Sequence, residues 1–509
     1  MSFSGRAVRG KSPGRTSRVL GVAACALLAA CGNRLPHTEI VSAVHGAASA
    51  SQSGPSAAPA AQPGAALSDA PTPAAGGGVE AGPATSGAGA ASPVAAATPA
   101  AGTAQSSSGA AKNSTSGAAG NSKTPASGPT ATAPGTAAAP TTPAPAAGGP
   151  ASTVVIGHIG SYAGIVGAAI SAGRPTAQVW ARSVNARGGL NGHPVRLIIA
   201  DDGSDPARNL ALAKDMIENQ GAIMLMGNLT SLSTPGSEPY LKERGVPAVG
   251  GDMVTPLWHE SPILFPQGTF INNIHIAAAK LAAAANHHRF GILYCGEATA
   301  CTNSYKVLSE GGAKQAGVDL VYSAQISLAQ PDFTSECLQA RNNNVEALLV
   351  AADGATVART SRSCAQQGFK PQFLAVSLAV INDLEKEPAL EGLSAPVATF
   401  PWIASDTAAA REFTDTMRQY APDVRLSGSA SAVWTAGKLV EAATRHLSAS
   451  PKPAEILAAL WAMKGETLGG LAPPLTFHQG QGPDKPACYF VVRVVGGKWT
   501  APNGSTPSC

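Results

Sequence analysis

The chain has 509 residues and a formal net charge of +4, a length that allows two or three domains. Five cations, Arg6, Arg9, Lys11, Arg15 and Arg18, stand in the first 18 residues with no acid among them. Without those five the +4 becomes −1, so the remainder lacks the Lys and Arg surplus that phosphate backbones demand, which argues against nucleic acid as a partner.

The basic start leads into an apolar run from Val19 to Ala30. Its twelve residues are too few to span a bilayer, so the pattern reads as the core of a secretory signal. The run closes on Leu28-Ala29-Ala30-Cys31-Gly32, which resembles the bacterial lipobox. Cleavage before Cys31 would make that residue the lipidated start of the mature chain and its membrane anchor.

From His45 to Pro150 the chain is almost entirely Ala, Pro, Gly, Ser and Thr. It holds no aromatic residue, and its only large aliphatics are Leu67, Val79 and Val94. Such a segment cannot bury enough apolar surface to offset its ordering entropy. Residues 31–150 therefore read as a disordered tether, whose coil dimension is roughly 55 Å. About 360 residues remain, enough for two lobes.

Those residues alternate between strand and helix. Val154 to Ile159 reads as a strand, followed by helix over 165–186 that stops at Arg187-Gly188-Gly189. Val195 to Ala200 is a second apolar strand with a polar end at Asp201-Asp202, and Asp205-Pro206 looks like an N-cap followed by Pro at the first helical position. Ala222 to Met226 is the third strand. The alternation resumes with strands at 289–294, 320–326, 347–351 and 372–376, separated by helices at 303–316, 333–341 and 356–367. This order predicts an α/β fold with mainly parallel sheets covered by helices, and ligand chemistry in the loops beyond the carboxyl ends of the strands.

After Cys25 and Cys31, six cysteines remain: Cys295, Cys301, Cys337, Cys364, Cys488 and Cys509. An even set in an exported chain points to disulfides, with about 15 possible connectivities. Sequence proximity favours 295–301, 337–364 and 488–509, with free thiols still an open alternative. The spacings do not fit a zinc site, and no metal or cofactor is called for. Enzyme motifs are missing too. Gly157, Gly160 and Gly164 are not spaced as a dinucleotide loop, and neither a phosphate-cradling P-loop nor a nucleophile elbow occurs.

Several motifs then occur in a telling order: Ile156-Gly157, Val184-Asn185-Ala186-Arg187-Gly188-Gly189-Leu190-Asn191-Gly192, Asp201-Asp202 with Asp205-Pro206-Ala207, Gly227 to Ser231, Gly245-Val246-Pro247, and Asp332-Phe333. Together they resemble the type I periplasmic solute-binding proteins of the leucine/isoleucine/valine group. The resemblance implies two lobes joined by three crossovers, here 151–272 plus 400–470 and 273–399 plus 471–509. It also implies capture of a small polar solute by hinge closure, without catalysis, and delivery to an ABC permease. A ligand-sensing module for a signalling partner is the alternative.

The same resemblance suggests site residues. The loop after the third strand would offer a hydroxyl and backbone N–H groups to a ligand carboxylate. That loop is Asn228-Leu229-Thr230-Ser231, with Ser231 at the hydroxyl position. Its hydroxyls equally suit capping of the following helix. Two positions depart from the family. Aligned on Pro256, a carboxylate, Asp252, replaces a small residue and Val254 replaces a threonine, so a ligand-facing Asp252 would favour a cation, the alternative being an Asp that caps the turn after Gly250-Gly251. The acid expected to hold a ligand ammonium falls at about Ser377. Further candidates are Ser161 and Tyr162 in the first loop, Glu297 inside the Cys295–Cys301 loop, Asp353 after a strand, and Trp402 at a crossover.

Overall fold

The structure is a computed structural model that describes residues 151–163, 166–376 and 379–509. The signal and tether expected over 1–150, with Cys31, lie outside the described residues, as does Ser377. Strands β1 (Val154–Gly160), β2 (Val195–Asp201), β3 (Met224–Asn228), β4 (Ala248–Gly251) and β5 (Leu264–Phe265) form an all-parallel sheet in the order β2-β1-β3-β4-β5. The chain direction across this sheet reverses between β1 and β3, which makes a crevice at their carboxyl ends.

A second sheet contains β6 (Arg289–Cys295), β7 (Asp319–Ile326), β8 (Ala347–Ala351), β9 (Gln372–Leu374) and β10 (Ser394–Val397). Its reversal lies between β6 and β8. Further strands pair in a small hairpin, β11 (Lys464–Glu466) with β12 (Leu475–Thr476). The last two extend the second sheet, β13 (Phe490–Val495) antiparallel to β10 and β14 (Lys498–Thr500) antiparallel to β13. The fold is therefore two α/β lobes with mainly parallel sheets.

Helices cover these sheets. α1 (Gly173–Ala186), α2 (Pro206–Lys214) and α3 (Thr234–Arg244) belong to the first lobe, and α4 (Ile271–Ala284), α5 (Thr299–Val307), α6 (Thr334–Asn342) and α7 (Gly354–Gln366) to the second. The helix expected over 165–186 is in fact broken, with a short turn at Gly167–Ile170 ahead of α1. A side chain at Gly167 would meet the Tyr162 carbonyl at 2.1 Å, so the chain there must hug the preceding loop. The Asp205 cap forms as expected, accepting the Arg208 amide at 2.7 Å.

After β10 the chain returns to the first lobe as α8 (Ala408–Tyr420), α9 (Gly428–Ala443) and α10 (Pro453–Trp461). α9 is buried nearly all round because it lies between α1 and strands β3 and β4. Gly437 makes this possible: a Cβ there would strike the Trp180 ring at 2.5 Å. Burying side chains such as Val433 and Leu439 contributes about 1.5–3 kcal/mol each before entropy is subtracted. The hairpin of β11 and β12 stays with the first lobe, since Phe477 packs edge-on against Phe265. The final passage to the second sheet thus falls shortly before Phe490, later than the expected boundary at 471.

Three chain segments pass between the lobes, and Thr269 ties them together. Its amide donates to the Ala398 carbonyl at 3.1 Å and its hydroxyl to the Cys488 carbonyl at 2.6 Å. Three disulfides form: Cys295–Cys301, Cys337–Cys364 and Cys488–Cys509. These are the pairs that sequence proximity favours.

Candidate functional site

The two crevices face each other across a cavity of about 90 Å³. Val166, Ala169, Ser231, Leu232 and Val254 line it from the first lobe. The second lobe adds the start of α5, the end of β8, and the α4 side chains Ile271 and His275. Nearly all of this surface is aliphatic. Among the described residues its polar side chains are Ser231, His275, Ser304 and Asp353.

Ser231 and Asp353 are the sequence candidates that reach the cavity. Ser231 sits in the loop after β3, and its hydroxyl donates to Asp252 Oδ2 at 2.8 Å. Asp353 is the N-cap of α7. One of its oxygens accepts the Ala355 and Thr356 amides at 2.9 and 3.2 Å, and the other accepts the Thr356 hydroxyl at 2.6 Å. Three of its roughly four acceptor sites are therefore used by its own helix, whose positive dipole end faces the carboxylate.

Asp252 does not face the cavity. It is buried behind Ser231 and also accepts from the Trp258 indole at 3.2 Å. Burial pushes its carboxyl up to about 6, against the lowering effect of its hydrogen bonds, first that from Ser231. Its open side borders a smaller void near the crossovers, lined by Ala398, Thr399 and Ser431. The reading of Asp252 as a group presented directly to a cation gives way to one in which it holds Ser231.

The remaining candidates build the walls. Ser161 is buried and donates to Asp202 at 2.7 Å. Asp202 also accepts from Ser233 at 2.6 Å and Asn209 at 2.8 Å, so the polar end of β2 pins the loops after β1 and β3. Asn228 Oδ1 accepts the Ile159 amide at 3.0 Å, locking β3 beside β1. Leu229 is buried, and α1 approaches it so closely at Gly173 that a Cβ there would displace the Leu229 side-chain tip. Thr230 accepts the Thr234 hydroxyl on its backbone carbonyl at 2.8 Å and thereby steadies the start of α3.

Tyr162 turns toward the first lobe. His158 Nδ1 lies 2.9 Å from the Met226 carbonyl, which can only accept, so Nδ1 carries the proton. Nε2 then accepts the Tyr162 hydroxyl at 2.6 Å. Burial lowers His158 to about 4 and raises Tyr162 strongly. Arg174 stacks over the same tyrosine ring at 4.5 Å.

Glu297 is turned to the loop after β7, accepting from the Ser327 hydroxyl at 2.6 Å and the Leu328 amide at 2.9 Å. Trp402 is buried against Trp499 at the edge of the second sheet, with ring centres 5.7 Å apart. Sequence reasoning missed the Ser304–His275 pair, whose closest atoms are 2.6 Å apart. Both residues are buried, and burial lowers His275 to about 3, so its imidazole is neutral. The helical register of α4 and α5 makes this pair, and neither segment carried a chemical motif.

Two α/β lobes with facing switch-point crevices and a cavity between them define a two-lobed binding protein. The chain belongs to the periplasmic binding protein family, in the type I leucine/isoleucine/valine-binding group, with residues 153–498 matching the family. It is 24% identical over 307 residues to the Leu/Ile/Val-binding protein of Escherichia coli (strain K12), covering 58% of this chain and 78% of the relative. Among solved structures, it resembles a fatty acid ABC transporter substrate-binding protein from Thermomonospora curvata, with a TM-score of 0.61 and 16% identity over 70% of this chain and 93% of the other. It also resembles an ABC transporter solute-binding protein from R. palustris in complex with benzoate, with a TM-score of 0.58 and 16% identity over 70% and 97% of the two chains.

Proposed function

We propose that this protein is an extracytoplasmic receptor that captures a small solute between its lobes and delivers it unchanged to an ABC importer. Lipidated Cys31 and the 31–150 tether would hold it to the membrane while leaving the lobes free to reach a permease. The observation that carries the reading is the cavity itself. It is lined from both lobes and bordered by both switch points, so only the closed arrangement encloses a ligand. Ser231 is the polar contact offered by the first lobe. Asn228, Leu229, Thr230, Ser161 and Tyr162 set its position, and Trp402 braces the crossover region.

A thermal-shift panel of the full chain against amino acids, short carboxylic acids and aromatic acids tests the receptor reading. A ligand bound only to the native state raises the midpoint. The expected result is a stabilising compound that mass spectrometry recovers intact. Conversion of that compound into product, or no stabilisation anywhere in the panel, overturns the reading. The anchor is tested separately: Cys31→Ser is expected to move the protein from the membrane fraction to the soluble one.

A further inference from the structure

The cavity has an asymmetry in what it can offer a ligand. Among the described residues that line it, the ionisable side chains are His275 and Asp353. Positions 164, 165, 377 and 378, which lie outside the described residues, are Gly, Ile, Ser and Leu in the sequence and carry no charge. His275 is neutral, and both Asp353 oxygens are occupied within α7. A ligand ammonium has three hydrogens to place and would find about one of the four or so acceptor sites of Asp353 still open, a costly arrangement.

Hydrogen-bond donors are in surplus. The Ser304–His275 pair holds two hydrogens, one on the hydroxyl and one on the neutral imidazole. The Ser304 oxygen lies 2.6 Å from Nδ1 and 3.3 Å from Nε2, and one hydrogen suffices for their mutual bond. Whichever ring nitrogen is protonated, the pair keeps one donor over. Both side chains are buried and line the cavity, so that donor has the cavity to serve. Beside it the first turn of α5 has no side-chain cap, and Ala298 and Ala300 of that turn also line the cavity. Its free N–H groups and positive dipole end favour an anion over a cation. The Cys295–Cys301 disulfide fixes this turn to the end of β6.

We propose that the cavity takes a short aliphatic carboxylic acid without an ammonium group, its carboxylate held by the Ser304–His275 pair and the start of α5. This rests on the receptor reading and narrows it. The volume of about 90 Å³ lies below the roughly 150 Å³ apolar cavity that admits benzene. The apolar body is accordingly limited to about four or five carbon atoms.

Calorimetric titration of the full chain with two matched pairs provides the test: 3-methylbutanoate against valine, and 4-methylpentanoate against leucine. Each acid is expected to bind at least about tenfold more tightly than its amino-acid counterpart. An amino acid that binds as well as its acid overturns the ligand class and leaves the receptor reading standing. Binding by neither pair also overturns the class, and the wider thermal panel then decides the receptor reading by itself. The double variant Ser304→Ala/His275→Phe removes the spare donor and is expected to weaken binding of the acid by about tenfold. Ser304→Ala alone keeps a donor on the ring and is expected to weaken binding less. Undiminished binding by the double variant overturns the carboxylate placement. The matched pairs use the natural chain and decide the ligand class whether or not that variant folds.

Discussion

Ser231 gives its hydroxyl hydrogen to Asp252 across 2.8 Å, and so meets the cavity as an acceptor while Asp252 is ionised. Burial holds the Asp252 carboxyl up to about 6. Below that pH the protonated carboxyl can donate to Ser231, which frees the serine hydrogen for the cavity. An acidic ligand is therefore expected to bind a few-fold more tightly at pH 5.5 than at pH 7.5, on the scale of one ordinary hydrogen bond of about 0.5–1.5 kcal/mol. Asp252→Asn should flatten this dependence. Calorimetric Kd values across that range for both proteins provide the check, and equal slopes would reject the coupling.

Stability is expected to fall on acidification, and histidines set the direction. Burial lowers His158 to about 4 and His259 and His275 to about 3, each from 6.5. Their folded pKa lies below the unfolded one, so their contribution is complete above about 6.5 and is lost as pH falls toward 4 and 3. Asp252 acts oppositely. Its pKa is raised from 3.8 to about 6, so its contribution is present below about 3.8 and lost as pH rises through 6. Three groups outweigh one, giving a net loss on the order of 3 kcal/mol per pH unit at most between about 6 and 4. Urea midpoints measured from pH 7 to 4.5 test this. Asp252→Asn should steepen the acid loss, because it removes the opposing group.

Much of the architecture was legible because it depends on local chemistry. The Asp205-Pro206 helix start and the strand at 347–351 follow from capping and apolar runs that need no distant partner. The site was less legible. Ser161, Asn228 and Thr230 have hydroxyls or amides suited to a ligand, yet the fold spends them on Asp202, Ile159 and Thr234. Asp353 was seen in the right loop, while its occupation by α7 emerges only from backbone geometry. His275 and Ser304 are 29 positions apart on different helices, and nothing local marks them as neighbours.

Asp383 and Arg425 form a latch between the lobes. Arg425 lies just before α9 in the first lobe, and its two terminal nitrogens reach the Asp383 carboxylate at 2.6 and 2.8 Å. Asp383 precedes a turn packed near β14 in the second lobe. The Asn382 amide adds a bond to the Arg425 carbonyl at 3.0 Å. Arg425 holds the Asp383 carboxyl well below the usual range, with Lys386 adding to the effect. Arg425→Ala is expected to raise the ligand dissociation rate about two- to fivefold without a ligand contact being lost. Stopped-flow release should show the natural chain approaching the variant as salt rises, since the pair is exposed and screened. No change in release would show that the latch does not bias closure.

The disulfides should separate stability from binding. Cys337–Cys364 spans 27 positions and joins buried parts of α6 and α7, remote from the cavity. Cys295–Cys301 spans six positions and lines the cavity itself. Loop-closure entropy assigns about 3.5 kcal/mol to the longer link and about 2 kcal/mol to the shorter. Replacing both cysteines of the 337–364 pair with Ser is expected to lower the urea midpoint more, with ligand affinity kept in the folded protein. The same change at 295–301 frees the first turn of α5 and should weaken binding of a short carboxylate beyond what its smaller stability loss explains. Paired denaturation and calorimetry on the two variants measure both effects. Unchanged affinity in the 295–301 variant would mean that the α5 turn is held in place by packing alone.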